Sequence, residues 1–544
     1  MGWTKYTSAF ALAAVATYAA DSYKFDFGDG PVKAGYTQVK SNTKFDTSRG
    51  YGFESGKVTS VDRLWDDELQ TDFLTTDGSM TFSVVLPQGN YEVKFIFGDG
   101  ENESETTVWA ENRKLIFDRV TTAGAVFSTQ SVSLRRMETK SIDGKVTMSI
   151  KDREKSYYTW DNKLTFVITG KAPAVAGLEI TPKSDVTTLW LCGNSTVVDQ
   201  MTAPWAGWGQ MASGFFKSSV AVANYAESGL TASGFYSMKR LAKILAEVKK
   251  GDYVTVQFAH NDQKNANDVA NYEATLTKYA NEIKAKGAIP LFVTSTARQG
   301  ELDPKTSVGG LPEKMRALGK KLGVTVLDLN QHTVNLQKAL GNNKEKLYMY
   351  TAKDKTHFCE YGAYELARAM MEEIKAKVPA LAKHLRDDHE AFNSNKPDPL
   401  DVLSLKKAPI TEGGLVEIKP EILPTDTSAI DTAKVDTLAK DSTAIVTADS
   451  TKKDSTTILR GTTIAEALTV NFDRKQNSIS VKHGNLDGQI QLFNTLGKEV
   501  FQTKFNRGNS AETFNLPPQI GGGIYYLKVQ SGSITKIQRL KVAQ

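Results

Sequence analysis

Between residues 186 and 385 the chain alternates short apolar runs with stretches whose apolar positions recur at helical spacing. Strands are predicted at 186–190, 220–224, 253–258, 289–294 and 324–328, each β-branched or fully apolar. Helices are predicted at 235–249, with Met238, Leu241, Ile244, Leu245 and Val248 on one face, and at 269–286, with Tyr272, Leu276, Tyr279 and Ile283. A third is predicted at 358–377. Regular β–α alternation predicts a parallel sheet covered on both faces by right-handed crossovers, a three-layer α/β/α unit.

The pattern differs on either side. Residues 81–86, 91–97 and 145–150 alternate apolar and polar positions, and turn signals at 87–90 and 98–100 lie between them, as in a β-sandwich. Residues 424–457 are rich in Thr, Asp, Ser, Ala and Lys, with one proline and no aromatic residue, a composition that cannot bury a core. Residues 479–482, 489–493, 499–503, 524–529 and 535–540 alternate again, with hairpin signals at Asp487–Gly488 and 497–498. The predicted organisation is a signal peptide at 1–20, a β-sandwich at 22–172, an α/β domain at 186–392, a disordered linker at 393–460 and a small β-sandwich at 461–544.

The signal peptide rests on Lys5 followed by an apolar run at 9–17 and small residues ahead of a cleavage point near Ala19 or Ala20. No later segment stays apolar for the ~18 residues a membrane span requires. The mature chain is therefore expected to be secreted or held at the cell surface. At 544 residues, 40% hydrophobic and 24% charged, composition is that of ordinary globular domains. The formal charge of +5 comes without a dense Lys/Arg stripe, which argues against nucleic acid and suits either an acidic substrate or a plain solvated surface. Two cysteines exclude a disulfide framework and a Cys-rich zinc site. No metal ligands occur at coherent spacing, and no cofactor is expected.

Candidate chemistry gathers where the predicted strands stop. Ser195 follows the 186–190 strand and the break at Gly193, so it is a candidate nucleophile at the carboxyl edge of the sheet, where open α/β sheets bind ligands. The alternative is a turn with Ser as helix N-cap. Gly229 follows the second strand, Asn261 the third, and Asp354 and His357 precede the last helix. In that order, Ser195, Gly229, Asn261, Asp354 and His357 resemble the SGNH/GDSL hydrolase superfamily. Gly207 to Gln210, Ala259 to Asp262, Thr294 to Arg298 and Asp354 to Gly362 are similar to the rhamnogalacturonan acetylesterase group within it. Two positions depart from that group: Asn194 stands where Asp is usual, and Leu230 and Thr231 stand where Arg and Ser are frequent. The first keeps the shape of the turn; the second removes a possible cation.

The resemblance implies a three-layer flavodoxin-like fold and a serine esterase. His357 would take the proton of Ser195, and Asp354 would orient the imidazole and stabilise its cation. The backbone N–H groups of Ser195 and Gly229 and the Asn261 amide would bind the oxyanion. His260 is either a second base or a packing residue, and Asp262 either a catalytic or a capping residue. Trp65, Trp109, Trp160, Trp205 and Trp208 either stack on sugar or belong to the core. Cys192, three residues before Ser195, and Cys359, two after His357, either bridge or remain buried thiols.

The opening residues Phe25 to Gly28 and Gly50 to Phe53 resemble galactose-binding-like sandwiches. Residues 492–500 and 522–527 resemble the C-terminal sorting domains of type IX secretion, with a sugar-binding or spacer domain as the alternative. The reading that follows is a secreted carbohydrate esterase removing O-acetyl groups from plant cell-wall polysaccharide through an acetyl-serine intermediate. Pectic rhamnogalacturonan is the leading substrate, and an acetylxylan esterase or a non-catalytic polysaccharide-binding surface protein are the alternatives. Its partners would be that polymer and the secretion machinery. A fragment of about 180–395 is expected to fold and cleave small acetyl esters alone.

Overall fold

The structure is a computed structural model and describes residues 22–63, 67–348 and 354–402, with 469–473, 478–482, 487–494, 499–506, 511–517, 519–520, 523–531 and 534–542. The predicted signal peptide, Trp65, the 403–460 part of the predicted linker and the 497–498 hairpin signal lie outside these residues. The described residues divide into two compact units, one holding all the helices. Among the described residues no helix is long and apolar enough to cross a membrane.

In chain order the first unit contains β1 (Tyr23–Phe27), β2 (Thr37–Val39), β3 (Tyr51–Gly56), β4 (Thr59–Asp62), β5 (Asp72–Thr75), β6 (Ser79–Val85), β7 (Gly89–Phe97), β8 (Ser104–Ala110), β9 (Lys114–Thr122), β10 (Ser128–Arg136), β11 (Lys163–Ala172) and β12 (Val175–Pro182). The α/β part follows with β13 (Thr187–Cys192), β14 (Trp205–Ala206), α1 (Trp208–Ala212), β15 (Val220–Asn224), α2 (Ala232–Ser237), α3 (Arg240–Glu247), β16 (Tyr253–Val256), α4 (Ala266–Ala285), β17 (Ile289–Val293), α5 (Leu311–Leu322), β18 (Thr325–Leu327), α6 (Leu329–Leu340), β19 (Phe358–Cys359), α7 (Glu360–Lys377) and α8 (Pro379–Ala382).

The parallel strands run β18-β17-β16-β13-β15. Numbered from β13 this is the 2-1-3-4-5 order of flavodoxin-like sheets, whose switch point lies between the first and third strands. Alternation within each strand separates two cores. Leu189 and Leu191 pack with Leu366, Met370 and Ile374 of α7, while Trp190 and Cys192 pack with Phe235, Tyr272 and Tyr279 on the opposite face.

Three features depart from the periodicity. The predicted 235–249 helix is two helices, α2 and α3, parted where Lys239 adopts φ +60°, a left-handed conformation a non-glycine residue takes only at a break. Residues 145–150 are not a strand. Their alternation instead points Met148 and Ile150 at the α/β core, and the Ser149 N–H donates to the Met238 carbonyl. Residues 393–402 run back over the helices, where Ser394 Oγ lies 2.9 Å from His332 Nδ1 and Asp398 pairs with Arg368.

The largest departure concerns the sandwich. Its second sheet, β3-β6-β11-β8-β9, stands alone, but its first sheet continues into the α/β sheet. Strand β10 pairs in parallel with β15 through Ser133–Ala221 and Leu134–Val222, giving one twelve-stranded sheet. Phenylalanines 25, 27, 82, 95 and 166 fill the space between the sandwich sheets. Ion pairs then cross from sandwich to α/β part. Lys114 meets Asp199 at 3.5 Å, Arg135 meets Glu247 at 2.6 Å, and Arg240 meets Glu154 at 2.5 Å, all six side chains nearly inaccessible.

Cys192 and Cys359 are free and buried. Cys192 projects into the core around Trp190. Cys359 belongs to the core on the other face, where its thiol donates to the Lys346 carbonyl. The sheet separates them, so the bridging alternative is not realised. Burial pushes the Cys192 thiol well up and the Cys359 thiol to about 11. Both are expected to resist alkylation in the folded protein and to label completely after unfolding without reductant, as peptide mass spectrometry would read.

The second unit is a small β-sandwich. Strands β20 (Thr469–Asp473), β21 (Ser478–Lys482) and β24 (Ala511–Asn515) form one sheet, and β22 (Gly488–Asn494), β23 (Glu499–Phe505), β25 (Gly523–Ser531) and β26 (Ile534–Val542) the other. Ile479, Val481, Ile490, Leu492, Phe505, Leu527 and Val529 make its core.

Candidate active site

The turn that carries Ser195 begins where β13 ends. Asn194 is fully buried, its carbonyl accepts the Val197 and Val198 N–H groups, and its Oδ1 accepts both the N–H and the hydroxyl of Thr196. An oxygen at that position is what the turn uses, so Asn serves in place of Asp. Beneath the turn, Gln257 accepts from Trp208 Nε1 at 2.8 Å and donates to Thr196 Oγ1 at 2.9 Å. Gly209 lets α1 pass close by, since a Cβ there would stand 2.4 Å from the Val197 carbonyl oxygen.

Ser195 Oγ lies 2.8 Å from His357 Nε2, and His357 Nδ1 lies 2.8 Å from Asp354 Oδ2. The other oxygen of Asp354 accepts the N–H groups of Thr356 and His357. Burial raises the Asp354 carboxyl, but the hydrogen bonds and the His357 ring outweigh it and hold the group at about 2. It is therefore an anion throughout the working range. The histidine segment is pinned on two sides. Strand β19 pairs with β14 through Trp205–Cys359 and Ala206–Phe358, and the Gln299 N–H donates to the Lys355 carbonyl.

Gly229 and Asn261 complete the predicted set. Gly229 has φ +76°, which glycine adopts without strain. Asn261 Nδ2 donates to the Leu230 carbonyl at 3.1 Å, and Lys264 donates to its Oδ1 at 3.3 Å, so the amide orientation is fixed and one N–H remains. His260 is closed off from solvent. Burial, with Arg298 and His357 nearby, pushes it down to about 3, so it stays neutral and offers no second base. Burial raises Asp262 to about 6, and its Oδ1 accepts the first N–H of α2, a capping role. Trp109 and Trp208 are fully buried, Trp205 is 8% exposed, and Trp160 packs on Tyr225 while donating to Glu154, so these four indoles belong to packing. Among the described residues no group of His, Cys, Asp and Glu is arranged to hold a metal ion.

Several residues at the site have no sequence signal. Gln200 Nε2 donates to the Ser195 carbonyl at 3.0 Å and reaches Ser228 Oγ at 3.4 Å. Arg113, on the turn between β8 and β9, is fully buried. It donates to the Gln200 and Trp205 carbonyls and pairs with Glu360, three residues past His357. Lys151 and Arg153 come from the segment between β10 and β11 and reach Ser228 and Glu227.

Comparison with known proteins agrees with this architecture. Residues 23–135 match the galactose-binding-domain-like family of β-agarase and YXIM esterase-like proteins. Residues 191–363 match the GDSL-like lipase/acylhydrolase family, and 465–543 match a secretion-system C-terminal sorting domain, which marks a secreted or cell-surface protein. The chain is 35% identical over 218 residues to the rhamnogalacturonan acetylesterase RhgT of Bacillus subtilis, covering 36% of this chain and 93% of that protein. It is 27% identical over 368 residues to the uncharacterized esterase YxiM of the same organism, covering 65% of this chain and 90% of YxiM. It is 26% identical over 200 residues to the probable rhamnogalacturonan acetylesterase YesY, covering 34% and 92%. A serine, a histidine and a carboxylate joined at the switch point of a 2-1-3-4-5 sheet, in a segment sharing this much sequence with acetylesterases, identify the chain as an esterase of the GDSL-like lipase/acylhydrolase family.

Proposed function

We propose that the chain removes O-acetyl groups from plant cell-wall polysaccharide, with pectic rhamnogalacturonan as substrate. Ser195 is the nucleophile, His357 the general base and then acid, and Asp354 the group that orients the ring. The observation that carries this reading is the continuous hydrogen-bonded relay from Asp354 through His357 to Ser195 Oγ, with 2.8 Å at each link. As Oγ attacks the acetyl carbonyl, its proton passes to Nε2, and the Asp354 anion stabilises the imidazolium. The N–H groups of Ser195 and Gly229 and the Asn261 amide receive the developing oxyanion. Collapse expels the sugar oxygen as an alkoxide, which takes the proton from Nε2 to become the free hydroxyl, and leaves acetyl-Ser195. Water, activated by the same nitrogen, then releases acetate.

The substrate assignment draws on the RhgT and YesY relatives, whose names carry that polymer. Acetate release from acetylated rhamnogalacturonan and from acetylxylan, measured side by side, tests it. Faster turnover of the pectic polymer is expected, and release from xylan alone would contradict it. Asn261→Ala is expected to lower kcat by about 100- to 1,000-fold with little change in KM, because the amide acts on charge that exists only in the transition state.

A further inference from the structure

The segment at 137–162, between β10 and β11, leaves the sandwich and returns to it by way of the active site. At its centre five ionisable side chains meet. Arg240 is fully buried on Glu154, and Arg153 is bonded through Nε and Nη2 to buried Glu227. These pairs use both carboxylates. Lys151 is the fifth group. Its Nζ donates to the Ser228 carbonyl, and a Cβ on Gly229 would stand 3.2 Å from it. Gln200 joins Ser228 to Ser195. A cation that shares the field of Glu227 and Glu154, but makes no direct ion pair with either among the described residues, thus sits beside the backbone that supplies the Gly229 oxyanion donor.

We propose that Lys151 is the specificity-determining residue that recognises a carboxylate of the sugar chain being deacetylated, which rests on the pectic reading given above.

Three observations support the assignment. First, binding the Ser228 carbonyl requires only a neutral donor, yet a charged one is kept there at a cost. Burial and the neighbouring Arg153 lower the Lys151 pKa, with Glu227 and Glu154 opposing them, so the charged form bears a desolvation cost at this position. Second, the mount is rigid. The Lys151 N–H donates to Glu154 Oε2 at 2.8 Å, Glu154 is locked by Arg240, and Ser149 is tied to Met238. A preorganised cation binds a carboxylate with little ordering cost. Third, the segment carrying Asn261 adds like charge, with Lys264 on the Asn261 side chain and Arg298 facing the His260 carbonyl. The ester under attack is held at Ser195 and Gly229, so the sugar bearing it and its neighbours pass Lys151. A uronate carboxylate gives that ammonium a directly bonded counter-charge beyond the field of Glu227 and Glu154, and a neutral xylan does not.

The test compares one polymer in two charge states. Acetylated rhamnogalacturonan oligomers are assayed as free uronic acids and as their methyl esters, with full-length wild-type, Lys151→Met and Lys151→Arg enzymes. The wild type is expected to favour the free acid in kcat/KM by about 10- to 100-fold, the range of a charge-assisted hydrogen bond. That preference should shrink as NaCl rises from about 0.05 M to about 0.5 M, a readout independent of any variant's folding. Lys151→Met should bring the ratio near one, and Lys151→Arg should restore most of it. A role confined to holding Ser228 predicts equal loss on both forms and an unchanged ratio. An unchanged ratio in Lys151→Met, or no preference in the wild type, overturns the assignment while leaving pectic deacetylation standing. Turnover of acetylxylan with none of either pectic form removes both.

Discussion

Ser195→Ala and His357→Ala are each expected to lower kcat on acetyl esters by about 10⁴- to 10⁶-fold, and the double variant by no more than the worse single one, because the residues act as a unit. Each variant should keep the wild-type circular dichroism and melting transition, since what is removed is the bond between Ser195 Oγ and His357 Nε2, while the backbone pairing that holds the two segments stays. Asp354→Asn should cost on the order of 10⁴-fold, because an amide that donates to Nδ1 favours the tautomer with its proton on Nε2, where the serine proton must go. The Asp354 carboxylate, held at about 2, also contributes stability that is complete above its ordinary value near 3.8 and is lost as pH falls toward 2. Activity lost at milder acidity therefore does not come from Asp354. A Ser195→Ala enzyme with wild-type turnover would remove the serine mechanism.

Deleting residues before 186 is expected to yield insoluble or inactive protein, the opposite of what the sequence pattern alone suggests for a 180–395 fragment. The cut would strip β10 from β15 and leave an apolar strand, all five residues buried, as an open sheet edge. It would also leave Asp199, Glu247 and Glu360 without Lys114, Arg135 and Arg113. Glu247 keeps Lys243, so two of these carboxylates lose their ion-pair partner; removing one partner of a buried pair typically costs about 3–5 kcal/mol, and two such losses reach into the roughly 5–15 kcal/mol that stabilises a domain. The buried Arg240 would lose Glu154, and the loops around Ser195 would lose the Arg113 bonds to Gln200 and Trp205. Expression of 180–395 beside the full chain, scored for soluble yield and acetate release, checks this. A soluble, fully active fragment would mean that the shared sheet is dispensable.

What was legible in the sequence followed from local rules. Parallel strands such as Val220–Asn224 are buried on both faces and read as unbroken apolar runs. The candidate residues Ser195, Gly229 and Asn261 follow β13, β15 and β16, positions that a strand prediction marks, while Asp354 and His357 lie just before α7. Helices α5 and α6 were missed, since α6 in particular carries Asn330, Gln331, His332, Asn335 and Gln337 among its apolar positions and relies on Asp328, whose side chain accepts the Gln331 N–H, for its start. Lys239 broke a helix whose apolar spacing runs through it unchanged. The residues that reach the site from the sandwich left no trace, because Arg113 and Lys151 act across 247 and 77 positions and no motif joins them to Glu360 or Ser228. The Gly229 block lacks the Arg frequent in that group, and Lys151, from a distant part of the chain, stands beside the same glycine.

The measurement that bears most directly on the account is acid-quenched mass spectrometry of the full chain during turnover of an activated acetyl ester. The account predicts an adduct of about 42 Da, one acetyl in place of one hydrogen, confined to the peptide containing Ser195, rising in a burst and absent from Ser195→Ala. An acetyl group on any other residue, or full turnover with no adduct in Ser195→Ala, would contradict it.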